Sequence, residues 1–344
     1  MFRTSDYDFD LPAEQIAQSP VEPRDRSRLL VVDRAAGQLR DEVFTGLAEL
    51  VRPGDALVLN ETRVFPARLL GTRAGGGAAE IFLLHPSADG DDLWVALVRP
   101  GAKLRAGREV EISPDLSVRV EEVLPGGERL VRLTSAMGVD AALERSGEVP
   151  LPPYVRRDAT PEDRERYQTV YARERGSVAA PTAGLHFTPE LLGTLEQRGV
   201  EIVRLVLHVG VGTFRPVESD DPAEHRMHRE WYRVPPESAE RINALRARGG
   251  AVWGVGTTTV RTLETVADAD GVVHPGEGWT DIFIRPPYRL RAVDRLVTNF
   301  HLPRSTLLML VAAFAGYDLT LRAYRHAVDG GYRFYSYGDA MVIL

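Results

Sequence analysis

Seven short segments rich in apolar and β-branched residues follow one another between Ala56 and Thr134. Turn-forming sequences separate them, including Gly75-Gly76-Gly77 and Pro125-Gly126-Gly127. Short strands at this spacing are typical of an antiparallel barrel or sandwich. This feature constrains the fold most, because it predicts a compact all-β domain at residues 61–150. The whole chain of 344 residues is long enough for two domains.

On the carboxyl side of this insert, predicted strands alternate with predicted helices. Predicted strands lie at residues 200–209, 251–256, 281–284 and 296–300. Predicted helices lie at residues 162–173, 189–199, 236–248, 257–267 and 305–315. Such alternation is typical of an α/β layered domain with a largely parallel sheet. We therefore expect the α/β class, with a larger layered domain formed by residues 1–60 and 151–344 and a small inserted antiparallel β-barrel domain at 61–150.

The composition excludes several kinds of chemistry. The chain has no cysteine, so it forms no disulfide, no thiolate nucleophile and no cysteine-ligated zinc site. Lys103 is the only lysine, which argues against a lysine Schiff base and leaves arginine as almost all of the positive charge. The net charge of −7 argues against attraction of nucleic acid to the whole surface, but not against a local basic face.

The sequence gives no sign of a membrane protein. The amino terminus opens no apolar run of the kind found in signal peptides. The longest apolar run, Leu307 to Ala315, is too short to cross a bilayer and predicts a buried helix. We therefore expect a cytoplasmic protein without a membrane partner.

Residues 176–188 are nearly uncharged and rich in small side chains. The segment contains one imidazole, His186, and leads into Thr188-Pro189-Glu190, which predicts a helix cap followed by a proline at the first helical position. Small residues let a backbone come close to a ligand or to another segment. One interpretation is a shaped binding loop, and the other is a buried turn with a hydrogen-bonded core histidine.

Three predicted strands end in glycine, threonine or histidine, at residues 208–213, 254–259 and 298–301. In an open α/β sheet, ligands bind outside the carboxyl ends of the strands. Free amides at a helix N-terminus, with threonine hydroxyls beside them, suit a carboxylate or a phosphate. The three ends together predict a pocket. They match neither the dinucleotide-binding fingerprint nor the phosphate-binding loop that requires a lysine.

The sequence Glu224-His225-Arg226-Met227-His228 suggests either a metal site or an acid–base site. His225 and His228 would share a face if the segment were helical. The zinc-protease pattern is not matched and no third ligand is evident. Acid–base work or substrate contact by Glu224, His225 or His228 is therefore the interpretation that we favour.

Two further segments each allow two interpretations. The basic loop from Arg24 to Arg28 is either a solvated turn or a phosphate contact. The aromatic segment 332–339 is either a closing strand packed on the core or a ledge for an adenine or a flipped base.

Together these stretches resemble one family. Its landmarks are similar, in the same order, to residues 60–64, 66–68, 151–154, 179–187, 207–214, 256–261, 298–303 and 337–341. The most distinctive of them is Ala179-Ala180-Pro181-Thr182-Ala183-Gly184-Leu185-His186-Phe187. The chain resembles the S-adenosylmethionine:tRNA ribosyltransferase-isomerases of the queuosine pathway, and the resemblance runs from Asp6 to Met341.

The resemblance implies a reaction. The ribosyl part of S-adenosylmethionine moves to the aminomethyl group of 7-aminomethyl-7-deazaguanine at the wobble position of a tRNA with a GUN-type anticodon. It is rearranged to an epoxy-cyclopentanediol, which gives epoxyqueuosine and releases adenine and methionine. The resemblance also implies a monomer that needs no metal and no cofactor, because S-adenosylmethionine is consumed as a substrate.

On this basis we assign site residues as hypotheses. A base must remove a C5′ proton made acidic by the sulfonium, and an acid must protonate the departing adenine. The catalytic candidates are His186, His208, Glu224 and His228. The substrate-binding candidates are Thr182, Gly184, Gly210, Gly212, Thr213, Phe214, Gly256, Thr257, Thr258, Arg261, Asn299, His301 and Tyr337, with Thr257 and Thr258 holding the methionine carboxylate. The candidates for tRNA phosphates are Arg24, Arg26, Arg28, Arg63, Arg68, Arg156 and Arg157.

Two functions of other classes compete with this one. A metal-dependent hydrolase would be built on Glu224, His225 and His228, and a protein insensitive to chelators would argue against it. An RNA-binding module without catalysis would use the barrel, and it predicts that residues 61–150 bind RNA by themselves. Neither function explains the glycine–threonine strand ends of the other domain.

Overall fold

Two β structures organise the fold, a nine-stranded sheet and a closed six-stranded barrel. The computed structural model describes residues 2–210, 212, 217 and 219–344. The strands are β1 (Arg28–Asp33), β2 (Gln38–Val43), β3 (Ala56–Asn60), β4 (Thr62–Val64), β5 (Arg68–Arg73), β6 (Ala78–Ser87), β7 (Gly90–Arg99), β8 (Glu109–Ser113), β9 (Leu116–Val123), β10 (Arg129–Thr134), β11 (Glu174–Ser177), β12 (Glu201–Leu207), β13 (Glu230–Val234), β14 (Val252–Val255), β15 (Gly276–Thr280), β16 (Arg295–Asn299) and β17 (Ala340–Ile343). The helices are α1 (Leu47–Leu50), α2 (Val139–Ser146), α3 (Asp163–Arg166), α4 (Pro189–Gln197), α5 (Pro236–Ala247), α6 (Thr257–Val266), α7 (Thr306–Ala315) and α8 (Tyr317–Asp329).

The nine-stranded sheet has the order β15-β13-β12-β3-β14-β16-β17-β1-β2. Its four central strands, β12, β3, β14 and β16, are parallel. The strands β13, β15 and β2 add antiparallel edges, and β17 runs antiparallel to β16. The predicted α/β class with a largely parallel sheet is confirmed.

Helices cover both faces of this sheet, because its strands send apolar side chains to both sides. From β3, Ala56 and Val58 pack with residues of α5, α6, α7 and α8. Leu57 and Leu59, which point the other way, pack with residues of α1 and α4. All four side chains are fully buried. This double burial explains why the central strands are continuous apolar runs in the sequence.

Helix α7 is apolar on all sides and mostly buried in the core. Ser305 caps its start by accepting a hydrogen bond from the Leu308 N–H at 3.2 Å. Gly316, with a φ of +89°, ends it as predicted. No single helix among the described residues is long and apolar enough to cross a membrane. The helices α7 and α8 reach that length only as a pair, and they meet at 116°.

The barrel closes in the order β10-β7-β6-β5-β8-β9 through antiparallel pairs. Alternate side chains fill its interior, such as Ile81 and Leu83 of β6. The strands approach closely at Gly71, where a Cβ would lie 2.4 Å from the carbonyl oxygen of Glu111. The predicted antiparallel barrel is confirmed, and the limits of 61–150 for its domain stay a prediction.

Of the seven apolar segments between Ala56 and Thr134, the one at residues 64–72 predicts a single strand, but the structure divides it in two. Strand β4 pairs in parallel with β11 in a separate two-stranded ladder, whereas β5 belongs to the barrel. The division falls at Phe65-Pro66-Ala67, where the proline lacks the N–H that a strand interior requires.

Two other local predictions are wrong. The predicted helix 162–173 is reduced to α3, because the Gln168 amide instead binds β4 by donating to the Val64 carbonyl at 2.7 Å and accepting from the Val64 N–H at 3.0 Å. The predicted strand 281–284 lies beyond β15, and the Ile282 N–H donates to Thr280 Oγ1 at 3.2 Å rather than to a neighbouring strand. Side-chain hydrogen bonds override the local pattern in both places.

One edge of the sheet gathers the segments that carry the predicted site residues. The parallel strands β12, β3, β14 and β16 all end there. Ala340 lies opposite both Asn299 and Leu29, so the amino ends of β17 and β1 reach the same edge. Strand β3 has β12 on one side and β14 on the other, although both strands follow β3 in the chain. This reversal of strand order marks the place where open α/β sheets bind ligands.

Candidate active site

A cleft of about 60 Å³ opens at this edge of the sheet, and we call it the strand-end cleft. It is lined by residues 180–183, 256–258, 298–302 and 335–336, together with Tyr154, Val209, Ser305 and Leu307. Six of the residues predicted to bind substrate lie in its wall, namely Thr182, Gly256, Thr257, Thr258, Asn299 and His301. The three strand ends singled out in the sequence therefore do meet at one pocket.

The amino terminus of α6 borders this cleft, and no side chain among the described residues caps it. Gly256 stands at the cap position with a φ of +88°, a conformation that favours glycine. Thr258 is only 8% exposed, yet its Oγ1 has no hydrogen-bond partner within the described residues. Uncapped amides, the positive end of the helix dipole and an unpaired hydroxyl together suit a carboxylate or a phosphate.

Tyr335 contributes a second unpaired polar atom to the cleft. Its hydroxyl is buried without a partner in the part of the chain that the structure describes. Its ring stacks on Tyr154 at 4.3 Å between the ring centroids, and burial raises the pKa of the phenol, which stays protonated. Its backbone φ of +71° costs a bulky residue about 1–3 kcal/mol. The strained backbone and the unpaired donor both indicate a ligand contact.

A chain of hydrogen bonds holds the side chain of Asn299 in the cleft wall. Its Oδ1 accepts from Thr182 Oγ1 at 2.9 Å, and its Nδ2 donates to Nε2 of His186 at 3.1 Å. Nδ1 of His186 donates to Ser27 Oγ at 2.8 Å, and that hydroxyl donates to the Arg24 carbonyl at 3.3 Å. We assign this tautomer of His186 because the amide of Asn299 can only donate at Nδ2.

His186 supports the cleft from behind and does not line it. The residue is 4% exposed, and burial lowers its pKa to about 3. Both ring nitrogens are hydrogen bonded to protein groups, and the predicted catalytic role of His186 stays a prediction. The two interpretations of residues 176–188 therefore both hold in part, since the loop contains a hydrogen-bonded core histidine and also reaches the cleft through Thr182.

Among the described residues, His301 is the histidine that lines the cleft. Its Nε2 lies 2.8 Å from Thr298 Oγ1, and its backbone N–H donates to the Tyr324 hydroxyl at 3.0 Å. Burial lowers its pKa to about 3, so the ring is neutral at neutral pH. A neutral imidazole that is held through one nitrogen can exchange a hydrogen bond or a proton at the other.

His208 points away from the cleft, whose wall is formed by the next residue, Val209. Its ring stacks on Trp231 at 5.0 Å, and its Nδ1 lies 2.8 Å from Thr62 Oγ1. A Cβ at Gly176 would come within 2.4 Å of this ring. Burial lowers the pKa of His208 to about 4. The structure therefore separates this catalytic candidate from the cleft.

The segment from Glu224 to His228 is not helical, so the expectation that His225 and His228 share a helix face is wrong. Pro222–Glu224 forms a single 3₁₀ turn, and the chain then leads directly into β13. Glu224 is exposed and accepts a hydrogen bond from Ser219 Oγ at 2.6 Å. Within the described ranges, no group of three or more histidine, aspartate or glutamate side chains is placed to hold a metal ion.

A buried ion pair between Arg261 and Glu230 lies beside the strand-end cleft. The second carboxylate oxygen of Glu230 accepts from the Gly210 N–H at 2.9 Å. Nη2 of Arg261 is buried and unpaired within the described residues. A small space next to it is lined by Gly212, His225, Met227, His228, Thr306 and Leu307, and Leu307 also lines the cleft. The predicted residues Gly210, Gly212, Arg261 and His228 thus lie together.

Tyr337 belongs to a different network. Its hydroxyl donates to Oδ1 of Asp163 at 2.9 Å. Arg157 donates to both carboxylate oxygens of Asp163, at 2.6 and 2.8 Å, and the Thr160 N–H donates to Oδ2 at 2.8 Å. We call these four residues the Asp163 network. A predicted substrate contact, Tyr337, and a predicted phosphate contact, Arg157, are therefore engaged by protein groups.

One other predicted substrate contact is not found in the cleft, and two lie outside the part of the chain that the structure describes. Gly184 is packed against protein, because a Cβ there would lie 2.0 Å from the Tyr171 hydroxyl. Thr213 and Phe214 lie outside the described residues.

The arginines predicted to bind tRNA phosphates fall into two groups. Those whose side chains already have protein partners are Arg24, Arg28, Arg68 and Arg157. Those that are exposed, with no side-chain partner among the described residues, are Arg26, Arg63 and Arg156. The second group is free to contact a phosphate.

A larger opening of about 790 Å³ lies between the barrel and residues 149–159, and we call it the barrel groove. Phe82 and Arg99 line it on the barrel side, and Arg156 lines it on the other side. Sequence reasoning missed Phe82 and Arg99, because an outward aromatic or cation on a barrel strand has no local signature.

The barrel groove adjoins the strand-end cleft. Tyr154 and Ala180 line the cleft, whereas Val155 and Val178, which are close to them in the chain, line the groove. The two openings are thus separated by a thin wall of two chain segments.

These features define a mixed α/β protein with a β-barrel and a polar ligand site at the carboxyl ends of its parallel strands. A profile of the family described as "Queuosine biosynthesis protein" matches residues 4–343. The chain belongs to this family, and the resemblance of its motifs is confirmed.

Curated relatives of the chain are named S-adenosylmethionine:tRNA ribosyltransferase-isomerase. The relative from Symbiobacterium thermophilum is 59% identical, over 99% of this chain and 100% of its own length. The relative from Moorella thermoacetica is 58% identical with the same coverage. The crystal structure of S-adenosylmethionine tRNA ribosyltransferase from Thermotoga maritima is 41% identical and gives a TM-score of 0.57, over 99% of this chain and 100% of that one. The chain is thus a member of an enzyme family whose named members are transferases.

Proposed function

We propose that this enzyme transfers the ribosyl group of S-adenosylmethionine to 7-aminomethyl-7-deazaguanine at the wobble position of a tRNA with a GUN-type anticodon. The group is rearranged so that epoxyqueuosine forms and adenine and methionine leave. The observation that carries the proposal is the strand-end cleft, where a helix terminus and two buried hydroxyls, all without side-chain partners within the described residues, border one space. Family membership and the names of the relatives support the two substrates.

We place the methionine carboxylate at the amino terminus of α6. The first amides of the helix and the dipole favour an anion there. Thr258 Oγ1, buried and unpaired within the described residues, supplies a further donor. An unmade hydrogen bond of this kind costs about 1–3 kcal/mol, and a ligand oxygen would recover that cost.

We place His301 against the reacting ribose as a hydrogen-bond partner, and we keep the C5′ base among the four candidates predicted from the sequence, of which His228 lies in the small space next to the cleft. His301 lines the cleft with a neutral ring that is held at Nε2 by Thr298. The sulfonium acidifies the C5′ proton, and its acceptor needs a pKa near the working pH, whereas burial lowers the pKa of His301 to about 3. His186 then acts through Asn299, whose amide it orients toward the substrate.

The room for the substrates comes from both openings. The cleft of about 60 Å³ is smaller than the roughly 300–1,000 Å³ of ordinary small-molecule sites, so its walls must move apart to admit S-adenosylmethionine. The adjoining barrel groove of about 790 Å³ is large enough for the unpaired target nucleotide. Arg99 and Arg156 there suit phosphates, and Phe82 suits a base.

The remaining parts of the proposal rest on the sequence, for the location and the domain limits, and on the resemblance, for the rest. The enzyme acts as a monomer in the cytoplasm, and residues 61–150 form a separate inserted domain. It uses no metal ion and no cofactor beyond the S-adenosylmethionine that it consumes.

The test is an incubation of the protein with S-adenosylmethionine and a tRNA that carries 7-aminomethyl-7-deazaguanine, in the presence of a chelator. We expect epoxyqueuosine in nucleoside mass spectra and an equal amount of released adenine. Folded protein that binds the tRNA but forms neither product contradicts the proposal and favours an RNA-binding module. Activity that a chelator abolishes and an added divalent metal restores contradicts the metal-free reaction.

A further inference from the structure

A row of aromatic side chains lies beside the strand-end cleft and takes no part in it. We call Trp231, Trp279, His208 and His85 the tryptophan ledge. Trp231 and Trp279 are directly opposite each other on the antiparallel strands β13 and β15. His208 stacks on Trp231 at 5.0 Å and 21°, and His85 of the barrel contacts Trp279 edge-on at 5.6 Å. The sheet and the barrel thus contribute rings to one surface.

The ledge reaches solvent at Trp279 and lies at the edge of the sheet where the cleft opens. Trp279 is 45% exposed, which is unusual for so large a side chain. Strand β12 ends beside His208, β13 begins beside Trp231, and β15 ends beside Trp279. The ledge therefore continues the edge at which the cleft opens, two strands further along the sheet.

One arginine next to the ledge has no ion-pair partner within the described residues. The Arg229 guanidinium lies 5.9 Å from the Trp279 ring. Arg229 is exposed, and its side chain makes no hydrogen bond or ion pair within the described residues. Arg233, by contrast, is paired with Glu174, and the exposed Glu277 lies opposite Arg233 in the ladder.

Exposed aromatic rings with a free arginine are the features by which proteins bind unpaired nucleotides, since bases stack on the rings and phosphates bind the cation. We propose that the tryptophan ledge stacks unpaired nucleotides that flank the modified base of the RNA substrate. The proposal rests on the proposed function for the identity of that RNA. Removal of the target base from its loop leaves its neighbours without stacking partners, and the ledge supplies them.

The test measures binding of a fluorescent 17-nucleotide anticodon stem-loop with a GUN anticodon to the full-length protein. We expect Trp279→Ala to weaken binding on the order of tenfold, and Trp279→Phe to recover part of that loss. Phe2→Ala is the matched control, because Phe2 is 39% exposed and stacks on Tyr317 elsewhere on the surface. Arg229→Ala should lower the slope of log Kd against log salt by about 0.7–0.9, whereas Trp279→Ala should leave it unchanged.

Fluorescence gives a second readout. The four tryptophans are Trp94, Trp231, Trp253 and Trp279, and of these Trp94 and Trp253 are buried. Stem-loop binding should quench wild-type emission, and Trp279→Phe should remove much of the quench. If the Trp279 variants bind the stem-loop with wild-type affinity and show wild-type quenching, the proposal for the ledge is wrong, even if the enzyme forms epoxyqueuosine. Absence of epoxyqueuosine in the wild type overturns the proposed function, while these measurements still decide the ledge.

Discussion

The strand-end cleft and the Asp163 network are both built from residues that the sequence singled out, but their polar groups are in opposite states. In the network, Arg157, Thr160 and Tyr337 saturate both carboxylate oxygens of Asp163. In the cleft, two buried hydroxyls have no partner within the described residues. Nearly all buried polar groups in folded proteins are paired. Other buried atoms, such as Trp94 Nε1, are also unpaired within the described residues, but the two hydroxyls of the cleft border an open space, and we infer that they are kept for a ligand whereas the Asp163 network holds the fold.

Two tyrosines show the contrast within three positions of the chain. The Tyr337 hydroxyl donates to Asp163, and its ring packs on Tyr167. The Tyr335 hydroxyl is buried and unpaired within the described residues, and its backbone is in the left-handed region. Tyr335 thus carries a local cost in strain and in an unmade hydrogen bond, which substrate binding can offset.

The largest effect on stability should come from the Asp163 network. Asp163→Asn should lower the free energy of unfolding by about 3 kcal/mol at pH 7, because a buried ion pair loses one partner. Burial alone would raise the pKa of Asp163, but hydrogen bonds from Arg157, Thr160 and Tyr337 outweigh it and lower the pKa to about 2. The stabilisation by ionised Asp163 is therefore complete above about pH 4, the pKa of an aspartate in the unfolded chain, and it is lost as the pH falls toward 2. Urea unfolding measures it.

Asp140→Asn is the control for this variant. The Asp140 side chain is 82% exposed and pairs with Arg175 at the surface. Exposed pairs of this kind contribute less than about 1 kcal/mol. If both substitutions cost the same, the Asp163 network is not the structural element that we describe.

The next effect concerns pH and the histidines of the cleft region. Burial lowers the pKa of His186 and His301 to about 3. The unfolded chain, with a histidine pKa of about 6.5, binds more protons than the folded protein between these values, so stability falls as the pH falls through this window. Each histidine should lower the free energy of unfolding by about 2 kcal/mol as the pH falls from 7 to 5. The free energy of unfolding of His186→Gln should change less with pH over this range than that of the wild type. An equal change in both proteins would show that His186 is not buried in neutral form.

A smaller effect distinguishes the two tyrosines. Tyr335→Phe should weaken S-adenosylmethionine binding about fivefold, the loss of one hydrogen bond, and leave the free energy of unfolding unchanged or slightly higher. Tyr337→Phe should do the reverse, lowering stability by about 1 kcal/mol with little change in affinity. Calorimetric titration and thermal unfolding of both variants measure this. If the two substitutions change affinity and stability in the same way, the contrast between the two tyrosines is wrong.

The sequence predicts the sheet, the barrel and the meeting of three strand ends because local patterns report these features. Turn residues and short apolar runs mark the strands, and parallel strands end at one edge of a sheet. The segments that reach the cleft were therefore predicted correctly.

Which residue of a segment faces the cleft could not be predicted. His208 points away while Val209 lines the cleft, and His186 lies behind Thr182. Whether a side chain points into the cleft depends on the alternation of side chains along a strand. It also depends on partners that are distant in sequence, such as Ser27 for His186. The residue types around Glu224 suggest a catalytic candidate. The segment does not form the helix that would place His225 and His228 on one face.

The most direct test of the account is the affinity of Thr258→Val and Thr262→Val for S-adenosylmethionine. Both variants lose a threonine hydroxyl from α6, but Thr262 Oγ1 already donates to the Thr258 carbonyl at 2.9 Å. We predict that Thr258→Val binds on the order of tenfold more weakly without loss of stability, since it removes a hydrogen bond to a charged group, whereas Thr262→Val keeps its affinity. Wild-type affinity in Thr258→Val, or an equal loss in both variants, would contradict the claim that the unpaired groups of the strand-end cleft bind the substrate.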